Sequence, residues 1–292
     1  MAEATNTISV APLAGRIGAL ISGVDVSQAL PKDKIESIRA ALLRYKVVFL
    51  RDQTLDYDSH VAFASEFGEV TMGHPIFTAP DSKPFLREFD SRTGIRANHW
   101  HSDLTFLPQP PAFAFSRSVV APSAGGDTMW SNGVAAYNSM PEDLRAFANT
   151  LRIVHSNDCD YIDATMFAGK KDYVATPFEA EHSAVQKHPE TGDLFLLLGG
   201  FARYVVGYDP SASRSILNLL QHYAELPENT IRWPWRAGDI AVWDNLATQH
   251  YAVYDYGDAK RLNDRVTVLG HPLSGVDGRA SVSLTPMIEA AD

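Results

Sequence analysis

Strand-like runs that are short, numerous and regularly interrupted constrain the fold of this chain more than any other feature. From about residue 97 onward they recur as Ala112–Val120, Thr128–Trp130, Leu194–Leu198, Ile231–Trp235, Asp239–Trp243 and Arg265–Leu269. Turn signals separate them, among them Gly125-Gly126-Asp127, Pro189-Glu190-Thr191-Gly192 and Ala237-Gly238-Asp239. Many short strands over so long a region predict a mainly β fold, a sandwich or barrel with helices packed outside. The longest apolar run, about Leu194–Phe201, is far shorter than the roughly 20 residues that cross a bilayer, so no membrane span is expected.

Helix signals come earlier. Pro31-Lys32-Asp33-Lys34 opens a segment that puts Ile35, Ile38, Leu42 and Tyr45 on one face. A second helix is predicted from about Tyr57 to Phe67, stopping at Gly68 as the residue after the cap. Lys46–Leu50 between them reads as a buried strand. Further helices are predicted near Pro141–Thr150 and Ser211–Leu226. Residues 155–185 have weak periodicity and mixed polarity, and they read as a long loop of the kind that acts as a lid. The ends, 1–10 and 280–292, read as loosely held. With no repeat and no low-complexity linker, residues 1–292 are expected to form a single domain.

Charge narrows the partners. The chain has 25 Lys and Arg against 35 Asp and Glu, a net charge of −10, and a pI near 5.4. That balance argues against binding phosphate backbones or anionic membranes, both of which need clustered basic residues. A small anionic ligand remains open, because a few buried arginines can dominate a local field. Cys159 is the single cysteine, so neither an intrachain disulfide nor a multi-cysteine zinc site is available. The opening residues lack a basic segment followed by an apolar one, so a cytoplasmic location is expected.

Three features carry candidate chemistry. His101-Ser102-Asp103 would project a histidine and a carboxylate to one face of a strand. About one such triplet is expected by chance in a chain of this composition, and a hydrogen-bonded pair closing a turn is the plainer reading. His250 follows the apolar strand ending at Trp243-Asp244-Asn245, where it is either a core histidine or a third ligand. Two histidines and a carboxylate on one face of an octahedron make the site of non-haem Fe(II) oxygenases. Arg261 and Arg265 stand 11 and 15 residues beyond His250, four apart on a predicted strand. Their guanidinium groups suit a carboxylate or sulfonate, although a solvated face is the usual role of such a pair. His188-Pro189-Glu190 has the same spacing as the first triplet, but its proline and the following Thr191-Gly192 read as a hairpin loop. Tryptophans 100, 130, 233, 235 and 243 read as core or pocket wall, since no basic track accompanies them.

In this order the motifs resemble the taurine dioxygenase (TauD/TfdA) family. The likeness rests on His101-x-Asp103, Gly125-Gly126-Asp127-Thr128-Met129-Trp130, Trp243-Asp244-Asn245-x4-His250, Arg261 and Arg265. It extends over nearly the whole chain, through Gly15-Arg16-Ile17-Gly18, Phe67-Gly68-Glu69-Val70 and Gly73-His74-Pro75. Pro227–Trp233 and Asp244–Gly257 look closest to alkylsulfatase-type and taurine-type members. The resemblance implies a double-stranded β-helix, or jelly roll, with His101, Asp103 and His250 as ligands of Fe(II). It implies 2-oxoglutarate and O2 as cosubstrates, with Thr128 and Arg261 at the distal carboxylate of the former. Arg265 matches an arginine close to both cosubstrate and substrate, and His74 matches a histidine that contacts a substrate sulfonate. The implied reaction hydroxylates a small anionic substrate, leading with alkyl sulfate esters and alkanesulfonates, and the implied assembly is a homodimer or homotetramer.

Rival readings are a carboxylate substrate, such as an aryloxyalkanoate or a biosynthetic intermediate, a noncatalytic jelly-roll binding protein, and a zinc hydrolase. The chain departs from the family pattern at Asn263-Asp264 before Arg265, at Glu181–Pro189, and at Ala97, where taurine-type members carry an asparagine.

Overall fold

A computed structural model describes residues 8–72, 74, 82–93, 97–158 and 177–285. Its centre is a large sheet of eight strands. Along its path lie β1 (Ser9–Pro12), β2 (Ala19–Ser22), β3 (Val47–Leu50), β14 (Ile240–Asp244), β6 (Phe113–Val120), β16 (Leu262–Val268) and β4 (Val70–Thr71). The eighth, β5 (Arg87–Asp90), pairs with β16. All pairings are antiparallel except β2 with β3.

Both faces of this sheet are covered, which is why β3 and β14 are apolar at almost every position. On one face Val48, Leu50, Phe113, Phe115, Ile240, Val242, Val266 and Val268 pack against α1 (Lys32–Tyr45) and α2 (Tyr57–Ser65). The alternate residues Val47, Phe49, Ala114, Ala241 and Trp243 face a three-stranded sheet of β13 (Thr230–Trp233), β7 (Thr128–Asn132) and β15 (Thr248–Ala252). Trp130, Trp233 and Trp235 fill the space between, and Phe49 stacks on Trp233 with centroids 4.1 Å apart. This sandwich is the expected jelly roll, and of the tryptophans read as core or pocket wall, Trp130, Trp233, Trp235 and Trp243 are buried while Trp100 is half-buried on the wall of a groove.

The two early helices form as predicted. α1 ends where Lys46 takes φ 66, so β3 begins one residue later than the sequence suggests. Asp56 caps α2 through a capping box with Ser59, and the chain turns away at Gly68, φ 143.

A second layer continues the fold through α3 (Gly133–Ser139), α4 (Glu142–Ala148), β8 (Arg152–Ser156), β9 (Glu179–Ser183) and β10 (Val185–Lys187). Then come β11 (Leu194–Leu196), β12 (Ala202–Val205), α5 (Pro210–Ala224) and β17 (Val282–Ser283). The stretch read as a loop from 155 to 185 therefore has strand at both ends, where β8 and β9 pair antiparallel. The rest of it, 159–176, lies outside the described residues, as does Cys159. The reason for the misreading is chemical. β8 buries all five residues although they include Arg152, His155 and Ser156, so polarity hides the strand. Its partners are internal, such as the Arg152–Glu181 ion pair and the His155 hydrogen bond to Thr105.

Candidate metal centre

His101, Asp103 and His250 converge, with one ligand atom from each lying within 4.8 Å of the others. The Asp103 carboxylate sits 3.7 Å from His101 Nε2 and 3.6 Å from His250 Nε2. Both imidazoles are buried, and burial is the main cause of their lowered pKa, to about 4 for His101 and well below the usual value for His250. They are therefore neutral near pH 7, with lone pairs available. His101 Nδ1 lies 2.8 Å from the His99 carbonyl oxygen, which can only accept, so Nδ1 holds the proton and Nε2 the lone pair. Neither nitrogen of His250 has a hydrogen-bond partner among the described residues. Two neutral imidazoles and a carboxylate with ligand atoms turned inward fit a divalent transition metal.

His101 and Asp103 do not share the face of a strand, contrary to what their spacing suggests. Residues 101–103 do not form a strand. His101 makes an isolated antiparallel bridge to His250, with backbone hydrogen bonds of 3.0 and 2.7 Å. The chain then turns, and Leu104 adopts φ 57. The pair converges through a bridge followed by a turn.

The two arginines lie on one side of this cluster. Arg265 projects from β16, and its Nη1 donates to both Asp103 oxygens at 2.8 and 2.7 Å. Arg261 stands just before β16, with a register shift between Leu262 and Asn263, so the pair is not simply four apart on a regular strand. Both still line one cavity with Thr128, Trp235, Trp243 and His250. Arg261 Nε donates to the Gly126 carbonyl at 2.8 Å, and its Nη2 donates to Thr128 Oγ1 at 3.2 Å. Trp235 Nε1 also donates to Thr128 Oγ1, at 2.9 Å. With both lone pairs occupied, the Thr128 hydroxyl has its own proton left to donate toward an anion. Gly126 has φ 71 and a Cβ there would lie 3.2 Å from Arg261 Cδ, so the close approach of Arg261 favours glycine. Burial lowers the pKa of both guanidiniums, yet from so high a value that they stay charged. Asp264, the acidic neighbour of Arg265, faces the other way and pairs with Arg117.

On the other side of His101 the wall is apolar. Phe201 lies 6.0 Å from the His101 ring and 5.1 Å from Phe106, which in turn lies 5.8 Å from His74. Burial, reinforced by the charge of Arg87, pushes the His74 pKa down to about 2, so this imidazole is neutral. Its neighbours Gly73 and Pro75 lie outside the described residues. A larger groove of about 830 Å³ lies between residues 98–100 and α5, and His101, Asp103 and His250 do not line it.

His188-Pro189-Glu190 is a hairpin loop between β10 and β11, as expected. His188 Nδ1 accepts from the backbone N–H groups of Glu190 and Thr191, while Nε2 lies 3.0 Å from Asp244 Oδ2. The motif gives Asn245 no task of its own, and Trp235 reads only as core or pocket wall. Asn245 braces Asp103, and its signal was its place in the Trp243-Asp244-Asn245 motif.

Residues 9–267 match the family model for taurine catabolism dioxygenase TauD, TfdA family. The chain belongs to the TauD/TfdA family. Membership makes it an oxidoreductase of the dioxygenase class. An α-ketoglutarate-dependent sulfate ester dioxygenase of Pseudomonas putida is 45% identical over 282 residues, covering 94% of this TauD/TfdA chain and 93% of that protein. An alkylsulfatase of Acinetobacter baylyi is 41% identical over 290 residues, covering 97% of this chain and 91% of the relative. The crystal structure of a taurine dioxygenase from Burkholderia xenovorans superposes with a TM-score of 0.83 at 38% identity, covering 95% of each chain.

Proposed function

We propose that this chain is an Fe(II)- and 2-oxoglutarate-dependent dioxygenase that hydroxylates an alkyl sulfate ester or alkanesulfonate. The observation that carries this reading is the placement of two buried guanidiniums, Arg261 and Arg265, on one side of the His101–Asp103–His250 cluster. Its sulfate ester and alkylsulfatase relatives support the substrate class.

His101, Asp103 and His250 would hold the metal. Iron bound with 2-oxoglutarate and O2 supplies oxidation of an unactivated C–H bond, with succinate and CO2 released. Arg261 grips the distal carboxylate of 2-oxoglutarate, and the Thr128 proton completes that grip. Trp235 holds Thr128 in the orientation that makes it a donor. Arg265 lies between this pocket and Asp103, placing positive charge where cosubstrate and substrate anions meet. His74 offers an uncharged imidazole to the substrate head group, while Phe106 and Phe201 wall the carbon chain and exclude water. Hydroxylation at the carbon bearing sulfate or sulfonate leaves a product that collapses to an aldehyde and sulfate or sulfite.

Arg265 would equally receive a carboxylate, which supports an aryloxyalkanoate or similar substrate as the second reading. A panel of alkyl sulfates, alkanesulfonates and aryloxyalkanoates with Fe(II) and 2-oxoglutarate separates them. Succinate with stoichiometric sulfate or sulfite is the expected result. Succinate coupled only to aryloxyalkanoates selects the second reading, and none from any substrate favours a noncatalytic binding protein. The net charge of −10 supports a small-molecule partner over nucleic acid or membrane. No helix among the described residues is long and apolar enough to cross a membrane. We read residues 1–292 as one domain that acts in the cytoplasm as a homodimer or homotetramer.

A further inference from the structure

Every residue of the His101–Ser102–Asp103 turn is strapped to the same segment, the one that carries His250. His101 is held by the backbone bridge to His250, and Ser102 Oγ donates to the Thr248 carbonyl at 2.6 Å. At Asp103 the strap changes character, because no backbone lies opposite. Its N–H donates to Asn245 Oδ1 at 2.8 Å, and Asn245 Nδ2 donates back to the Asp103 carbonyl at 3.0 Å. The same Nδ2 reaches the Pro111 carbonyl at 3.0 Å. Asn245 is fully buried, and its side-chain amide takes the place of a missing strand.

The geometry points to Asn245 as a positioning residue that sets where the Asp103 carboxylate stands. This rests on the reading of His101, Asp103 and His250 as metal ligands. Two neighbours bear on where Asp103 stands. Leu104, the next residue, is held at φ 57, a conformation that costs a branched side chain energy and invites the turn to relax. Arg265 holds both carboxylate oxygens from the β16 side. Asn245 opposes relaxation of the turn by clamping the Asp103 peptide groups rather than its side chain, so it takes up neither carboxylate oxygen. The motif thereby adds a carboxamide to the backbone bridge and the Ser102 hydrogen bond that join two ligand-bearing segments more than 140 residues apart.

Asn229 provides a matched control. It is fully buried, accepts from Arg16 Nη1 at 2.8 Å and donates to the Tyr223 carbonyl at 2.8 Å, remote from the metal cluster. Mn(II) titrations followed by electron paramagnetic resonance would compare wild type, Asn245→Ala and Asn229→Ala at a temperature where circular dichroism shows each folded. Asn245→Ala is expected to weaken Mn(II) binding about 10- to 100-fold, the range for losing a group that orients a metal ligand. Asn229→Ala is expected to lose thermal stability without that loss of affinity. If Asn245→Ala folds poorly, Asn245→Asp carries the comparison, since it keeps the shape and the acceptor but sets a carboxylate oxygen against two carbonyls. Wild-type affinity in the Asn245 variants overturns the inference, as does an equal loss in Asn229→Ala. Failure of both Asn245 variants to fold beside a folded Asn229→Ala also overturns it, by making Asn245 a determinant of the fold. A wild-type chain that binds no Mn(II) sinks instead the metal-site reading beneath it.

Discussion

Two stretches of this chain read His-x-acid, and the structure treats them oppositely. In His101-Ser102-Asp103 both acidic and imidazole groups turn inward, toward His250. In His188-Pro189-Glu190 the imidazole is just as buried, but its two nitrogens are committed to backbone N–H groups and to Asp244. Glu190 turns outward to Arg39, at 2.9 Å. Burial alone therefore does not distinguish a ligand from a structural histidine. What distinguishes them is whether the lone pairs already have partners.

The largest effect should come from the first triplet. His101→Ala or Asp103→Ala should lower 2-oxoglutarate turnover about a thousandfold or more, since metal chemistry supplies several kcal/mol and each 1.36 kcal/mol is tenfold in rate. Succinate release measured beside a melting curve checks this, and full turnover in a folded variant would break the distinction. His188→Ala should do the reverse. It leaves Asp244 Oδ2 buried without its 3.0 Å partner, with Lys46 Nζ 3.9 Å away and the Ala247 N–H donating to the other oxygen at 3.0 Å. Urea unfolding should show a loss of about 3 kcal/mol, with turnover per folded molecule little changed.

Acid should test the buried histidines that are held neutral. Burial pushes His60 down to about 3 and His182 to about 4. Each has a folded pKa below its unfolded value, so below about pH 6.5 the unfolded chain takes up a proton that the folded chain refuses. Stability is complete above that pH and falls as acid is added toward pH 4, by up to about 1.4 kcal/mol per pH unit for each such group. His60→Leu should flatten this acid limb by up to one group's share in pH-dependent urea unfolding, and an unchanged slope would refute the assignment. Glu190→Gln should have the smallest effect, below about 1 kcal/mol, because its pair with Arg39 is partly exposed.

Legibility in the sequence followed from how each element is buried. β3, β6 and β14 were visible because apolar sheets and helices cover both their faces, which leaves continuous apolar runs. α3 was not anticipated. It opens at Gly133 under the side-chain cap of Asn132, and a short helix beginning on glycine carries almost no helical signature. β5, Arg87-Glu88-Phe89-Asp90, escaped notice for a similar reason, since its polar residues lie on the edge of β16. His101, Asp103, His250 and both arginines were legible as candidates because their order and spacing match a family. Their geometric explanation was not. The His101–Asp103 pair converges through a turn, and Arg261 reaches the pocket from outside the regular strand.

The sequence by itself determined a mainly β fold, a sandwich or barrel, because short apolar runs broken by turn residues bury themselves by pairing into sheets that close or pack on one another. It also determined which side chains were available for metal and anion, since a chain with one cysteine must build a metal site from histidine and carboxylate. Only the tertiary structure decided which His-x-acid triplet is open and which is closed. It alone showed Asn245 reaching Asp103, and Trp235 with Arg261 turning Thr128 into a donor. Periodicity records which face a residue occupies. It does not record where a lone pair or an N–H points, and that direction depends on partners brought together from distant parts of the chain.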